Sequence, residues 1–171
     1  DDSGFHISGR VGLGMRRLSV IDLEGGAQPI ANEDKSCWIV YNGETYNYPS
    51  LREHLVETGH KLATHSDTET IVHLYETHGA ACVDHLNGMF AFAVHDNRDD
   101  SVLVARDRLG IKPLYYAETD DALVFGSEIK ALLVHPGVSR QIDPSAIDAF
   151  LTLKFIPAPQ TAYRSIRKLP P

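Results

Sequence analysis

The sequence predicts an α+β fold with antiparallel sheets in a layered arrangement. Three features carry that expectation. Short β-branched and aromatic runs joined by turn residues occupy both parts of the chain, two helical patterns lie between them, and there is no internal repeat or low-complexity tract. At 171 residues, 43% hydrophobic and 23% charged, the chain fits one domain that buries roughly 70% of its unfolded surface.

Phe5 to Ser8 and Val11 to Met15 read as two short strands around a Gly9-Arg10 turn. Arg16-Arg17 heads a β-branched segment through Ile21-Asp22. On a two-residue period only one of these arginines faces inward, and a buried guanidinium needs an anionic partner or ligand; two solvated arginines fit the pattern as well. Gly25-Gly26 breaks the chain, Asn32 to Lys35 turns it, and Trp38 to Tyr41 forms an apolar strand that runs into Asn42-Gly43-Glu44. Asn-Gly is the strongest turn-forming dipeptide, so a sharp bend is expected there.

Asn47 is placed to cap a helix carrying Leu51 and Leu55, which Gly59 stops, and His60 to His65 reads as a strand. Ser66 and Glu69 make a capping-box pattern ahead of a helix with Ile71, Leu74 and Tyr75 on one face, ended by Gly79. A short helix through Val83 and Leu86 leads to Gly88. From Met89 onward the chain is β-rich: one hairpin turns at Asn97 to Asp100, and a second pairs Leu114 to Ala117 with Leu123 to Phe125. Asp107 to Pro113 between them is a loop rich in polar groups. Glu128 to Leu133 reads as helical, and Asp143-Pro144 opens a helix to about Leu153. Ile156-Pro157-Ala158-Pro159 reads as a linker, which divides the chain into a domain over 1–155 and a segment 156–171 that is a linker toward, or the last strands before, a further domain.

Net charge and composition exclude several function classes. A formal charge of −7 lacks the basic face that a polyanion requires, so nucleic acid is not an expected partner. No window holds 18 consecutive apolar residues, so no membrane span is expected. The two cysteines, Cys37 and Cys82, have neither CxxC nor metal-type spacing, suit a reducing cytoplasm and read as core residues. None of the nine histidines belongs to an HExxH or pairs at three or four residues along one apolar helical face, and no metal is expected. Asp1 in place of Met, and the Pro170-Pro171 end, read as cut ends.

Asn42-Gly43-Glu44 is the stretch best equipped for chemistry. The Asn amide and the Gly N–H are two donors and the Glu is an acid, a set suited to an oxyanion or a zwitterion, although a plain hairpin turn is the simpler reading of Asn-Gly alone. Asp67 falls in the first turn of its helix, where a carboxylate complements the helix dipole whether or not it has another role.

Several separated motifs stand together in order: Asp1-Asp2-Ser3-Gly4, Arg17 to Asp22 (RLSVID), Gln28-Pro29, Asn42-Gly43-Glu44 with Tyr46-Asn47, Ser66 to Glu69 (SDTE), Leu86 to Ala91 (LNGMFA), Arg106 to Tyr116 (RDRLGIKPLYY) and Ser127 to Leu132 (SEIKAL). In these the chain resembles the class II glutamine amidotransferase domain of glutamine-hydrolysing asparagine synthetases, over nearly its whole length. The resemblance implies an N-terminal-nucleophile fold, a four-layer α/β/β/α sandwich with antiparallel sheets, here without its first strand and first helix.

The resemblance also implies roles. Arg17 matches the group that binds the α-carboxylate of L-glutamine, with Leu18, Ser19, Val20 and Ile21 lining the same pocket. Asn42 and Gly43 match the oxyanion hole. Glu44 and Asp67 match the groups that bind the substrate ammonium. One cation and two anions suit an amino-acid zwitterion. The family nucleophile is a cysteine at the mature N-terminus whose own α-amine can serve as base, and an internal cysteine has no such amine. The segment starting at Asp1 is therefore expected to bind glutamine without hydrolysing it. The implied partner is a C-terminal synthetase domain that uses ATP and Mg to amidate aspartate, with no cofactor in this segment and a homodimer allowed. An amidotransferase with another acceptor, another class II amidotransferase, or a non-catalytic amino-acid-binding module are the rival readings.

Overall fold

The computed structural model describes residues 2–17 and 27–171. Two compact units divide the chain, Asp1–Ala105 and Arg106–Pro171.

In the first unit β1 (Asp2–Ser8) and β2 (Val11–Arg17) form a hairpin in register from Asp2↔Arg17 to Ser8↔Val11. Gly9 takes a left-handed φ of 56° in the turn, a conformation open to glycine without steric cost. The larger sheet has the order β3-β4-β5-β6, built from β3 (Ile30–Ala31), β4 (Cys37–Thr45), β5 (Gly88–Asp96) and β6 (Ser101–Arg106). Between β4 and β5 the chain makes α1 (Tyr48–Glu57), α2 (Asp67–His78) and a 3-10 segment, Gly79–His85.

Alternation sorts β4 and β5 by face. Cys37, Ile39 and Tyr41 of β4 and Phe90, Phe92 and Val94 of β5 pack with Ile71, Val72, Leu74 and Tyr75 of α2 and with Leu55 of α1. Each such side chain contributes about 1.5–3 kcal/mol by leaving water. The opposite face of β5 carries the small residues Ala91 and Ala93 and the buried His95, and His6 of β1 stacks on Trp38 of β4 at 4.0 Å between ring centroids. β5 is therefore buried on both faces from Phe90 to Asp96.

The second unit has the sheet order β8-β7-β9, from β7 (Tyr115–Glu118), β8 (Leu123–Gly126) and β9 (Arg167–Lys168). Ala117, Leu132, Val138 and Ile166 form its core, with α3 (Ile129–Leu132) and α4 (Pro144–Leu153) beside it in sequence. Asp143 caps α4 as its sequence predicts, Oδ1 accepting from Ser145 N at 3.0 Å. Residues 156–171 supply β9, and Leu169 N donates to Leu114 O at 2.9 Å. The Asp107 to Pro113 loop spends its polar groups on itself. Asp107 accepts from Leu109 N, Ile111 N and Lys112 N, while the Arg106 guanidinium donates to the carbonyls of Lys112, Gly110 and Leu169.

The α+β class with antiparallel sheets is as the sequence predicts, and four local expectations change. Asn42-Gly43 does not turn: β4 runs through it to Thr45, paired to β5 as far as Thr45↔Gly88. Nine residues of cross-strand pairing outweigh one dipeptide preference. The bend falls instead at Tyr46-Asn47, fastened by Tyr46 N donating to Asn87 O at 2.7 Å. Asn47 sits at the start of α1 without capping it by its side chain; its amide donates to His85 O and its oxygen accepts from Asn87 N, both at 2.9 Å. His60 to His65 is irregular rather than a strand. Ser66 caps α2, accepting from Thr68 N at 3.2 Å, while Glu69 bypasses it and accepts from Ala63 N, Thr64 N and Thr64 Oγ1, each at 2.6 Å. Against the burial that raises it, the neighbouring His73 and then that clasp hold the Glu69 carboxyl down at about 2, and the clasp fixes 63–64 as a loop.

Candidate active site

The edge of β4 organises the site. β3 pairs with β4 only at Ile39 and Trp38, so from Val40 onward no strand among the described residues covers that edge. Backbone groups alternate sides along a strand. Cys37 N and O face the β3 side, to Asn32 Oδ1 at 2.9 Å and Asn32 N at 3.2 Å, and Ser36 O faces the other way, to Asn97 N. The odd-numbered N–H groups of β4 therefore point to the β3 side.

Two of the next three have partners that are not strands. Tyr41 N donates to Gln28 Oε1 at 2.7 Å, and Thr45 N donates to Asp67 Oδ2 at 3.0 Å. Gly43 N–H, between them, points to the same edge by alternation. Glycine is required here for closeness rather than for a turn, because a Cβ at Gly43 would overlap the Met89 carbonyl oxygen and lie 2.8 Å from Phe90 Cα. The even side chains, Asn42 and Glu44, project from the face opposite the α2 core, Asn42 half-buried and Glu44 exposed.

Asp67 opens α2 with its side chain 5% exposed. Beside its bond to Thr45 N, the Tyr41 hydroxyl meets Thr45 Oγ1 at 3.0 Å. Burial, reinforced by the Asp67 charge, pushes that phenol far above its ordinary pKa, so Tyr41 remains a neutral donor beside the carboxylate. A buried anion next to a strand-edge N–H can take a cation on one side while the N–H takes a developing negative charge on the other.

The structure thus brings together Asn42, Gly43, Glu44 and Asp67 at the C-terminal end of β4 and the N-terminus of α2. Arg17 ends β2, opposite Asp2, and its side chain lies outside the described residues. Leu18, Ser19, Val20 and Ile21 also lie outside them, as does the Gly25-Gly26 break. Among the described residues the His and Glu side chains close enough to share an ion are Glu33, His60, His73 and Glu76, around the opposite end of β4.

Sequence reasoning gives Gln28 no role, and the structure makes it the brace of this edge. It is buried, accepting from Tyr41 N while its Nε2 donates to Thr68 Oγ1 at 3.2 Å, so one side chain ties β4 to the first turn of α2. Gly4 makes room for it, since a Cβ there would overlap the Gln28 carbonyl. The only signal in the sequence is a polar residue set between a Gly-Gly break and a proline. Gln28→Ala leaves the Tyr41 N–H and the Thr68 hydroxyl short of a partner; a loss of about 1–3 kcal/mol in chemical denaturation is expected, and unchanged stability would remove the brace from the account.

Neither cysteine fits a nucleophile's role. Both are fully buried, and burial pushes the Cys37 thiol up to about 11 and the Cys82 thiol up to about 12. A thiol must ionise to attack.

The family described as "Glutamine amidotransferase domain" matches residues 1–171. Asparagine synthetase [glutamine-hydrolyzing] 1 of Bacillus subtilis is 40% identical over 171 residues, covering 100% of this chain and 27% of that protein. Asparagine synthetase [glutamine-hydrolyzing] 3 of Arabidopsis thaliana is 47% identical over 133 residues, 77% of this chain and 23% of its own length. The chain thus spans about a quarter of the curated relatives it matches. Among solved structures, the glutamine phosphoribosylpyrophosphate amidotransferase of B. subtilis superposes with a TM-score of 0.61 at 26% identity, over 72% of this chain and 29% of that one. A family match over every residue establishes that the chain belongs to the glutamine amidotransferase domain family.

Proposed function

We propose that this domain is the glutamine-binding half of an asparagine synthetase, which releases ammonia from L-glutamine for transfer to aspartate. The Gly43 N–H, held between two engaged neighbours on a stretch of strand edge that no strand covers among the described residues, is the observation that carries the reading. In this reading Arg17 pairs with the substrate α-carboxylate and the 18–21 backbone lines the pocket. Glu44 and Asp67 receive the substrate ammonium, and Asn42 and Gly43 bind the oxyanion.

The chemistry needs a cysteine thiolate beyond Cys37 and Cys82. The thiolate adds to the side-chain carbonyl carbon and the oxygen becomes the oxyanion. Collapse expels ammonia once the nitrogen is protonated, and water then cleaves the thioester to glutamate and free thiol. Residues 1–171 alone bind glutamine without turnover. Aspartate activation with ATP and Mg belongs to a synthetase domain of the whole protein, which acts in the cytoplasm and assembles as a homodimer.

Incubating the intact protein with glutamine, aspartate and Mg-ATP should give glutamate and asparagine together. Glutamate without any aspartate-dependent product would move the acceptor assignment elsewhere, and absence of glutamate would overturn the reading.

A further inference from the structure

Three segments far apart in sequence meet around the start of β4. Glu33 lies in the turn between β3 and β4, His60 follows α1, and His73 and Glu76 stand three apart on α2, hence on one helical face. His73 Nδ1 is 3.0 Å from Glu33 Oε2 and 3.6 Å from Glu76 Oε2. His60 Nδ1 is 3.6 Å from Glu33 Oε1 and 3.7 Å from the same Glu76 oxygen. One ligand atom from each residue lies within 4.8 Å of all the others. Four ligands about 2.0–2.1 Å from a tetrahedral zinc stand about 3.3 Å from one another, and the observed separations bracket that value.

We propose that Glu33, His60, His73 and Glu76 form a structural site for a divalent first-row metal ion, zinc being the ion whose four-coordinate preference and nitrogen-oxygen ligand set match best. The inference stands apart from the glutamine chemistry and rests on none of its residues.

Two further observations point the same way. His73 is completely buried, yet neither of its ring nitrogens makes an aligned hydrogen bond, and Glu76 Oε2 is buried without one as well. Buried polar atoms are rarely left so. A pair of imidazolium ions would balance the two carboxylates electrically, but His73 would then bury two unaligned N–H groups. A metal uses His73 Nδ1 and Glu76 Oε2 as lone-pair donors, leaving only the Nε2–H of His73 unaligned.

The outward nitrogens are also arranged as around a metal. His60 Nε2 lies 3.0 Å from Thr77 Oγ1, and His73 Nε2 faces Glu69 Oε1 at 3.8 Å. Metal-bound histidines commonly turn their second nitrogen to a carboxylate or other polar partner, which fixes the ring and its tautomer. Here that fixes Nδ1 inward on both. Two neutral imidazoles, two carboxylates and a dication sum to zero charge, and four protein ligands leave no open position, the mark of a structural centre. Such an ion would staple the β3–β4 turn and the segment after α1 to the middle of α2. No linear motif announces the site, which explains why the histidine spacing alone predicts no metal.

The test uses the intact protein, freed of metal with a chelator and titrated with Co2+. The wild type is expected to develop the visible d–d bands of a four-coordinate ion and to lose them on adding Zn2+. His60→Gln and Glu33→Gln, both at partly exposed positions, are expected to bind Co2+ at least about tenfold more weakly. In chelator their thermal melts should match the wild type, while Zn2+ should raise only the wild-type midpoint. Absence of the bands in the wild type, or bands of equal intensity and affinity in both variants, would overturn the proposal.

Discussion

Asn42→Ala in the intact protein is expected to lower glutamine turnover about 10²- to 10³-fold, the usual cost of one oxyanion donor. Asn42 projects from β4 on the face opposite the core, half-buried, next to a glycine whose N–H points to the β3-side edge of the strand. Truncation removes a side-chain amide and leaves the backbone pairing Asn42↔Ala91 in place. Glutamine affinity should change much less, because the ground-state carbonyl carries less charge than the oxyanion. Steady-state kinetics separate the two effects. A kcat equal to wild type would remove Asn42 from the oxyanion hole, and a rise in KM alone would make it a ground-state contact.

Gly43→Ala should be the more damaging change, and for a different reason. Alanine keeps the N–H, so a purely electrostatic role would tolerate it. The methyl group, however, has nowhere to go between the Met89 carbonyl and Phe90 Cα. Gly88, opposite Thr45, is under the same constraint, with a Cβ there lying 2.9 Å from Thr45 Cα. The last residues of β4 and the first of β5 must part to admit either methyl, and overpacking of this kind costs about 1–3 kcal/mol. Parting the strands also retilts the Gly43 N–H, so activity should fall together with the thermal midpoint. A Gly43→Ala protein with normal melting and normal glutaminase rate would refute the close-approach explanation.

Much of the fold was legible in linear patterns. The β1–β2 and β7–β8 hairpins, the β5–β6 turn at Asn97 to Asp100, and the Asp143 cap follow from local signals that tertiary structure leaves alone. The failures share one cause. At Asn42-Gly43, at Glu69 and at Asn47 a residue well suited to a local task is taken over by a distant partner: β5, the 63–64 backbone and Asn87 respectively. The strand edge itself could not be read from sequence, because it depends on β3 being two residues long. Asn42, Gly43, Glu44 and Asp67 are assigned by motif resemblance, and the structure adds what the motifs leave out, namely that Gln28 and Asp67 occupy the donors flanking Gly43. The Glu33, His60, His73 and Glu76 group was invisible in sequence because its members come from three separate segments.

The two occupied donors beside Gly43 have a kinetic meaning. Sliding β4 by one residue, or tilting it, would break the bonds to Gln28 and Asp67 at the same time, so the middle N–H is aimed before any substrate arrives. A loop that had to swing a donor into place would add reorganisation energy to every turnover. In the proposed role, folding itself has already met that cost, and the donor would meet charge as it develops.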